Sequence, residues 1–368
     1  MKGPLSKEMT PLAGRYAPED YIGAGGMQHV YLALDRLFQR HVALKTPKDE
    51  SGTKRFQQTA VVSARVNHQN VAKTLDYFED IDRPFLIEEL VIGEDLRSVM
   101  EGKLPHLPPS TCARIFHKLA KGLAASHAAD VVHRDLKPSN IMVLGGPVFT
   151  DVKITDFGIA KMAEDEIGQW VEEGGGATSS KTVLGAIPYM SPEAINDFKT
   201  AKKSSDVWAI ATIVYELLSG EPPFGKRLNS IPKIIEAAPP KKPAQLNSAQ
   251  FKSLGTQIYD IILTCLDKDE TKRPTASQLV SLCEELCYSM PRYSYGEVVE
   301  LTGPGRPTGK IRDDSGVLLM YHPSNFYGSS RVKIGNRVWF GRDPGIPRER
   351  AFPIVKAVEV AKEGGAAP

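Results

Sequence analysis

The sequence predicts an α+β chain of two lobes, a small β-rich one and a larger helical one, followed by a small all-β domain. Three observations carry this. From Arg15 to about Leu90, short β-branched and aromatic runs such as HVYLALD and HVALKT alternate with glycine and polar turns, which is a strand pattern. From about Gly93 the apolar residues recur at helical spacing, over Ser110–Ala129, Ser204–Ser219, Gln250–Leu266 and Thr275–Tyr288. After Met290 proline and glycine rise and short alternating segments return.

In chain order, residues 1–14 are an N-terminal extension and 15–90 the first lobe, interrupted by one helix at Thr53–Val66. Residues 91–288 form the second lobe, and the junction near 88–93 is a natural cleft. Residues 164–181 are polar and glycine-rich without a period, a loop between two motif-bearing stretches. Residues 289–305 read as a linker and 306–361 as a small β-barrel-like domain, with strands in GVLLMYH, SSRVKIG, NRVWFG and FPIVKAVEV. Residues 362–368 read as a disordered tail.

Composition excludes more than it assigns. With 41% hydrophobic and 24% charged residues and a net charge of +2, the chain is neither disordered nor fibrous. The last 80 residues hold 12 Lys/Arg against 8 Asp/Glu, a mild basic excess that hints at an anionic partner. Cys112, Cys265, Cys283 and Cys287 are too few and irregular for a disulfide framework and are expected reduced; the Cys283/Cys287 spacing reads as buried core rather than a metal pair. The longest apolar run, VWAIATIVYELL from Val207, contains Glu216 and falls short of the roughly 18 residues a membrane helix needs. No membrane partner and a cytoplasmic location are the expectations.

Residues 133–140 read HRDLKPSN and residues 156–158 read DFG, sixteen positions beyond Asn140. Upstream, Val42-Ala43-Leu44-Lys45 closes a strand that follows the glycine-bearing loop Ile22-Gly23-Ala24-Gly25-Gly26-Met27-Gln28-His29-Val30. Downstream come Ser191-Pro192-Glu193, Asp206-Val207-Trp208 and Lys272-Arg273-Pro274. In this order, around a cleft between a β lobe and a helical lobe, residues 15–288 resemble the eukaryotic-type Ser/Thr protein kinase family and its two-lobed protein-kinase fold. The wording DLKPSN resembles the Ser/Thr branch.

The resemblance implies ATP and Mg²⁺ as cofactors and a protein Ser/Thr hydroxyl as acceptor. Asp135 would accept the hydroxyl proton, and Lys137 would put an ammonium on the γ-phosphate. Asn140 and Asp156 would supply the hard oxygen ligands that Mg²⁺ prefers. Lys45 would reach the α- and β-phosphates, the loop Ile22–Val30 would bring backbone N–H groups to phosphate, and Val30 and Ala43 would pack on adenine. Glu193 and Arg273 would form a structural ion pair, and Asp206 an anchor within a buried helix. Arg134 would receive a phosphate from Thr178, Ser179, Ser180 or Thr182, unless these are only a solvated hydroxyl-rich stretch.

Four residues depart from the family pattern. Thr59 stands where a helix-borne Glu usually meets the strand lysine, and no acidic residue lies between Glu50 and Asp76. Lys45 is therefore unpaired, or is met by Glu50 or by a carboxylate from elsewhere. Ala186 replaces a Thr that usually bonds near the catalytic Asp, and Glu88 occupies the gatekeeper position beside the adenine pocket. Gln28 also replaces the third glycine of the loop.

The C-terminal segment is similar to a cold-shock or other OB-type barrel. Such barrels bind single strands by stacking bases on aromatics over a basic groove; here Tyr321, Phe326, Tyr327, Trp339 and Phe340 would stack, and Arg331, Lys333, Arg337 and Arg342 would supply charge. The other role for residues 306–361 is a docking or substrate-recruiting module. At the level of the whole chain the alternative to an active kinase is an ATP-binding pseudokinase or scaffold acting through this domain. Oligomeric state is not legible.

Overall fold

The computed structural model describes residues 5, 10–24, 28–48, 53–104, 106–157, 181–197, 200–286, 288, 292–303, 308–328, 332–343, 345 and 347–357. Its first lobe is a five-stranded antiparallel sheet of order β1-β2-β3-β5-β4. The strands are β1 (Tyr16–Ala24), β2 (Gln28–Asp35), β3 (Arg40–Pro47), β4 (Thr74–Asp80) and β5 (Arg83–Glu89). The two-residue strand period sorts the side chains by face. Val42, Leu44, Phe85 and Ile87 join Tyr16 and Tyr31 in one core. Ala43, Lys45, Leu86 and Glu88 take the other face, where helix α1 (Thr53–Ser63) sets Phe56 and Ala60 against Leu86. Leu5 and Leu12, from the stretch expected as an extension, are buried in the first of these cores. Isolated leucines carry no periodicity, so the sequence did not reveal them.

The second lobe begins with β6 (Glu94–Asp95), α2 (Leu96–Gly102) and α3 (Pro109–Ala128). It continues through β7 (Ile141–Leu144) and β8 (Asp151–Ile154), which with β6 make a three-stranded sheet. Helices α4 (Lys203–Ser219), α5 (Ala249–Cys265) and α6 (Ala276–Glu284) follow. Helix α4 runs through the core and is buried on nearly every side, which is why its run is apolar all round. Of its two buried acids, Glu216 accepts from Arg97 Nη1 at 3.0 Å and from the Tyr189 hydroxyl at 2.6 Å. Cys112, Cys265 and Cys283 are buried free thiols, and Cys287 lies outside the described residues. Among the described residues no helix is long and apolar enough to cross a membrane.

The third unit is a closed barrel of five strands in the order β10-β11-β13-β12-β9. They are β9 (Arg292–Glu300), β10 (Gly309–Asp313), β11 (Leu318–Tyr321), β12 (Arg337–Asp343) and β13 (Arg350–Lys356). The closed five-stranded barrel carries the coarser part of the OB-type expectation. Two boundaries are corrected. The barrel starts within the expected linker 289–305, because RYSYGEVVE is its first strand. Gly296 hid it: a Cβ there would lie 2.3 Å from Arg312 O, so the glycine serves a close strand approach rather than a turn. Conversely, the described part of SSRVKIG turns at Gly335 (φ 87°), with Asn336 Oδ1 accepting from Lys333 N at 3.0 Å.

The barrel packs on the helical lobe. Phe352 of β13 belongs to that lobe's core, and Ser110 Oγ donates to Asp343 Oδ1 at 3.2 Å. Tyr327 donates to Glu94 Oε2 at 3.2 Å while Lys103 sits 4.7 Å over its ring. The aromatics expected to stack bases are therefore committed elsewhere. Tyr321, Phe326 and Phe340 fill the barrel core, Tyr327 faces the helical lobe, and Trp339 stacks on Tyr293 at 4.7 Å. Arg337 pairs with Asp314, and Arg342 with Asp313 and Glu349. Arg331 lies outside the described residues, and Lys333 is exposed. A nucleic-acid partner for 306–361 gains no support from this arrangement, in which most of the alternating aromatics form the inward and docking faces of a small barrel.

Candidate active site

The site forms where β3 and β5 of the first lobe face the loop that joins α3 to β7 and the turn after β8. That loop is held from below. Asp206, buried at the start of α4, accepts from His133 N and Arg134 N at 2.8 Å each and pairs with His127 Nε2 at 2.9 Å. His133 Nε2 lies 2.9 Å from Thr155 O, and its ring is 4.6 Å from that of Phe157. Arg134 and Asp156 both adopt positive φ, 65° and 62°. Such backbone is sparsely populated for these residues and persists where the surroundings over-determine it.

On this frame Asp135, Lys137 and Asn140 converge. Lys137 Nζ donates to Asp135 Oδ2 at 2.8 Å and to Oδ1 at 3.0 Å. Asn140 Nδ2 donates to Asp135 O at 2.8 Å and to Oδ2 at 3.1 Å, which leaves its Oδ1 as the acceptor for a metal. Thr155 N and Oγ1 both donate to Asn140 O, at 2.9 and 3.2 Å, and Thr155 Oγ1 reaches Asp156 Oδ2 at 3.3 Å. The amide oxygen of Asn140 and the carboxylate of Asp156 are hard donors of the kind that Mg²⁺ prefers. Ala186, lacking the usual hydroxyl, lines a small cavity with Arg134, Asp135 and Ser205.

The two lobes meet at Asp156. Lys45 Nζ donates to Asp156 Oδ1 at 2.8 Å and also to Glu88 Oε2; Lys45 and Glu88 are 6% and 5% exposed. Gln28, 3% exposed, adds a donor to Asp156 Oδ1 at 3.0 Å. One ammonium thus serves two carboxylates. Burial works against the Lys45 charge, but Asp156 and Glu88 hold its pKa above the ordinary value. Burial also opposes ionisation of Asp156, yet Lys45 pulls its carboxyl below the usual range. Glu88 is the acid that rises: burial pushes it up against the pull of Lys45.

Sequence reasoning left the partner of Lys45 open among three choices; among the described residues the partners are Glu88 and Asp156, and Glu50 lies outside them. The signal was present in the strand period, since Lys45 and Glu88 fall on one sheet face once β3 and β5 are paired. The role of Gln28 had no such signal. Of the loop residues, Gly25, Gly26 and Met27 lie outside the described residues, while Gly23 pairs with Val30 and Ala24 with His29. Val30, which pairs with Lys45, and Ala43 share the cleft face, and Ile22 is 55% exposed. The His29 ring packs beside Tyr31, with Tyr21 Oη 3.2 Å from its Nδ1. Thr178, Ser179 and Ser180 lie outside the described residues, as does the side chain of Thr182.

Comparison with known proteins points to one family. A family model described as protein kinase domain matches residues 16–282. Serine/threonine-protein kinase PknL of Mycobacterium tuberculosis is 35% identical over 222 residues, which cover 59% of this chain and 52% of that protein. Serine/threonine-protein kinase pkn3 of Myxococcus xanthus is 32% identical over 278 residues, covering 73% of this chain and 49% of that protein. The chain thus spans about half the length of these curated relatives. Among solved structures, that of Rad53 1–466 in complex with AMP-PNP matches with a TM-score of 0.55 and 22% identity, over 73% of this chain and 64% of that chain, a likeness of fold.

Proposed function

The chain belongs to the protein kinase domain family, and from that premise we propose that it is an ATP- and Mg²⁺-dependent Ser/Thr kinase acting on protein hydroxyls. The observation that carries the reading is the bridge from Lys45 to Asp156 at 2.8 Å, which closes the β lobe onto the loop bearing Asp135 and Asn140. Magnesium held by Asn140 and Asp156 would neutralise phosphate oxygens. Lys45 would bind the α- and β-phosphates. The acceptor hydroxyl oxygen bonds to the γ-phosphorus, the bond to the β–γ bridging oxygen breaks, ADP leaves, and Asp135 takes the hydroxyl proton. Lys137, already on Asp135, is within reach of the migrating charge.

Labelled ATP with a generic protein acceptor tests this, with Asp135→Asn as the control. Transfer should fall by about 10²- to 10⁴-fold while MgATP binding persists. Label that survives the substitution, or no nucleotide uptake with Mg²⁺ present, overturns the reading. Uptake without any transfer by the natural chain assigns it to the scaffold class instead. Regulation by autophosphorylation within residues 178–182, read by Arg134, is part of the same proposal; phosphopeptide mapping after incubation with ATP checks it.

A further inference from the structure

Helix α1 has the sequence TKRFQQTAVVS and so carries no carboxylate to offer Lys45. Thr59, its residue at the usual position, is 4% exposed and packed inside the lobe. The acid that meets Lys45 comes instead from the sheet. In the ladder between β3 and β5, Ala43 pairs with Glu88 and Lys45 with Leu86. Lys45 and Glu88 are therefore diagonal neighbours on one face, a separation long side chains span readily. Strand β5 is paired on both sides, with Thr74 of β4 opposite Glu88 as well. The Glu88 backbone cannot shift without breaking two ladders.

We infer that Glu88 is the positioning residue of Lys45, so that in this chain the phosphate-binding lysine is aligned by the register of the sheet and not by helix α1. The inference rests on the kinase reading and deepens it. Asp156 is the second carboxylate on Lys45, and it is also a proposed metal ligand. When Asp156 turns to the metal, Glu88 is the acid that keeps the ammonium aimed along the cleft. An isolated ammonium on a strand would swing among its rotamers, and each phosphate bond would then carry that ordering penalty. A holder built into the same sheet removes it and makes Lys45 competent whatever the placement of α1.

The test compares the natural chain with Glu88→Gln, Glu88→Asp and Glu88→Gln/Thr59→Glu. Calorimetric affinity for MgATP and for adenosine is measured alongside kcat and KM. Glu88→Gln keeps the shape of the side chain and removes its charge. MgATP affinity should drop about tenfold, the size of one lost charge-assisted hydrogen bond, with adenosine affinity unchanged. A merely structural role would move both ligands together. Restoring an acid from the helix with Thr59→Glu should recover part of the loss. Should Glu88→Gln not fold, Glu88→Asp, whose carboxylate is one methylene short, should show the same split between MgATP and adenosine. Unchanged MgATP affinity in the folded variants overturns the inference, as does an equal loss for both ligands. If the natural chain transfers no phosphate above Asp135→Asn, the kinase reading fails, and the MgATP-to-adenosine ratio still decides the role of Glu88.

Discussion

Glu193 and Arg273, 80 residues apart in the chain, meet as a two-pronged pair, Nη1 to Oε1 at 2.7 Å and Nη2 to Oε2 at 2.9 Å. Arg273 also lies 4.9 Å over the Trp208 ring, and Ser205 Oγ donates to Glu193 Oε1 at 2.8 Å. The pair therefore ties the short helix Pro192–Asn196 to the start of α4 and to the segment before α6.

Breaking this pair should be costly. Glu193→Ala leaves a buried guanidinium without its counter-charge, and an unfolding titration at pH 7 should show a loss of about 3–5 kcal/mol. Burial opposes the Glu193 charge, but the Arg273 fork overrides it and brings the carboxyl down to about 2. A carboxyl lowered on folding stabilises the protein above its unfolded value. The gap between natural chain and variant should thus be full above about pH 4.5 and shrink as the pH falls toward 2.

Asp343 should behave in the opposite sense. It is 6% exposed at the face between barrel and helical lobe, and burial pushes its carboxyl up to about 6, against Ser110 and Arg114. His106, His322 and Arg350 line the cavity it faces. An acid raised on folding is held protonated, so stability falls as the pH rises from about 4 to about 6, by roughly 3 kcal/mol. Asp343→Asn, which keeps the acceptor for Ser110, should raise the melting temperature at pH 8 and leave it unchanged at pH 4. An equal shift at both values would show that the charge is not the cause.

Phe352 tests the docking of the barrel. It is 8% exposed and packed in the core of the helical lobe, whereas its neighbours Ala351 and Ile354 fill the barrel. Phe352→Ala should cost about 3–5 kcal/mol. Limited proteolysis should then cut between α6 and β9 faster than in the natural chain.

Gln28 donates to the same Asp156 oxygen as Lys45. That bond would compete with the metal proposed for Asp156. Gln28→Ala should therefore lower the Mg²⁺ concentration needed for half-maximal ATP binding by roughly tenfold, the worth of about one hydrogen bond to a charged acceptor. A rise in that concentration would show that Gln28 assists the metal site.

The helices and the motifs were legible because their information is local. Ser110–Ala129 and Ser204–Ser219 announced themselves by period; the observed helix Pro109–Ala128 is shifted by one residue at both ends, and Lys203–Ser219 starts one residue earlier. RYSYGEVVE was not legible as a strand, because Gly296 is required by the approach of Arg312, a residue of another strand. Leu5 and Leu12 lacked any pattern, and their burial depends on a sheet completed by strands far along the chain.

By itself the sequence determined which groups exist for the chemistry: the acids and amide of Asp135, Asn140 and Asp156, the ammonium of Lys45, and the absence of an acid on α1. Only the tertiary structure decided which carboxylate answers that ammonium, because a diagonal neighbour across two strands depends on register, and register is set by the whole sheet. The fate of the barrel aromatics was settled in the same way, since whether a ring stacks on a ligand or fills a core depends on which face the closed barrel turns inward.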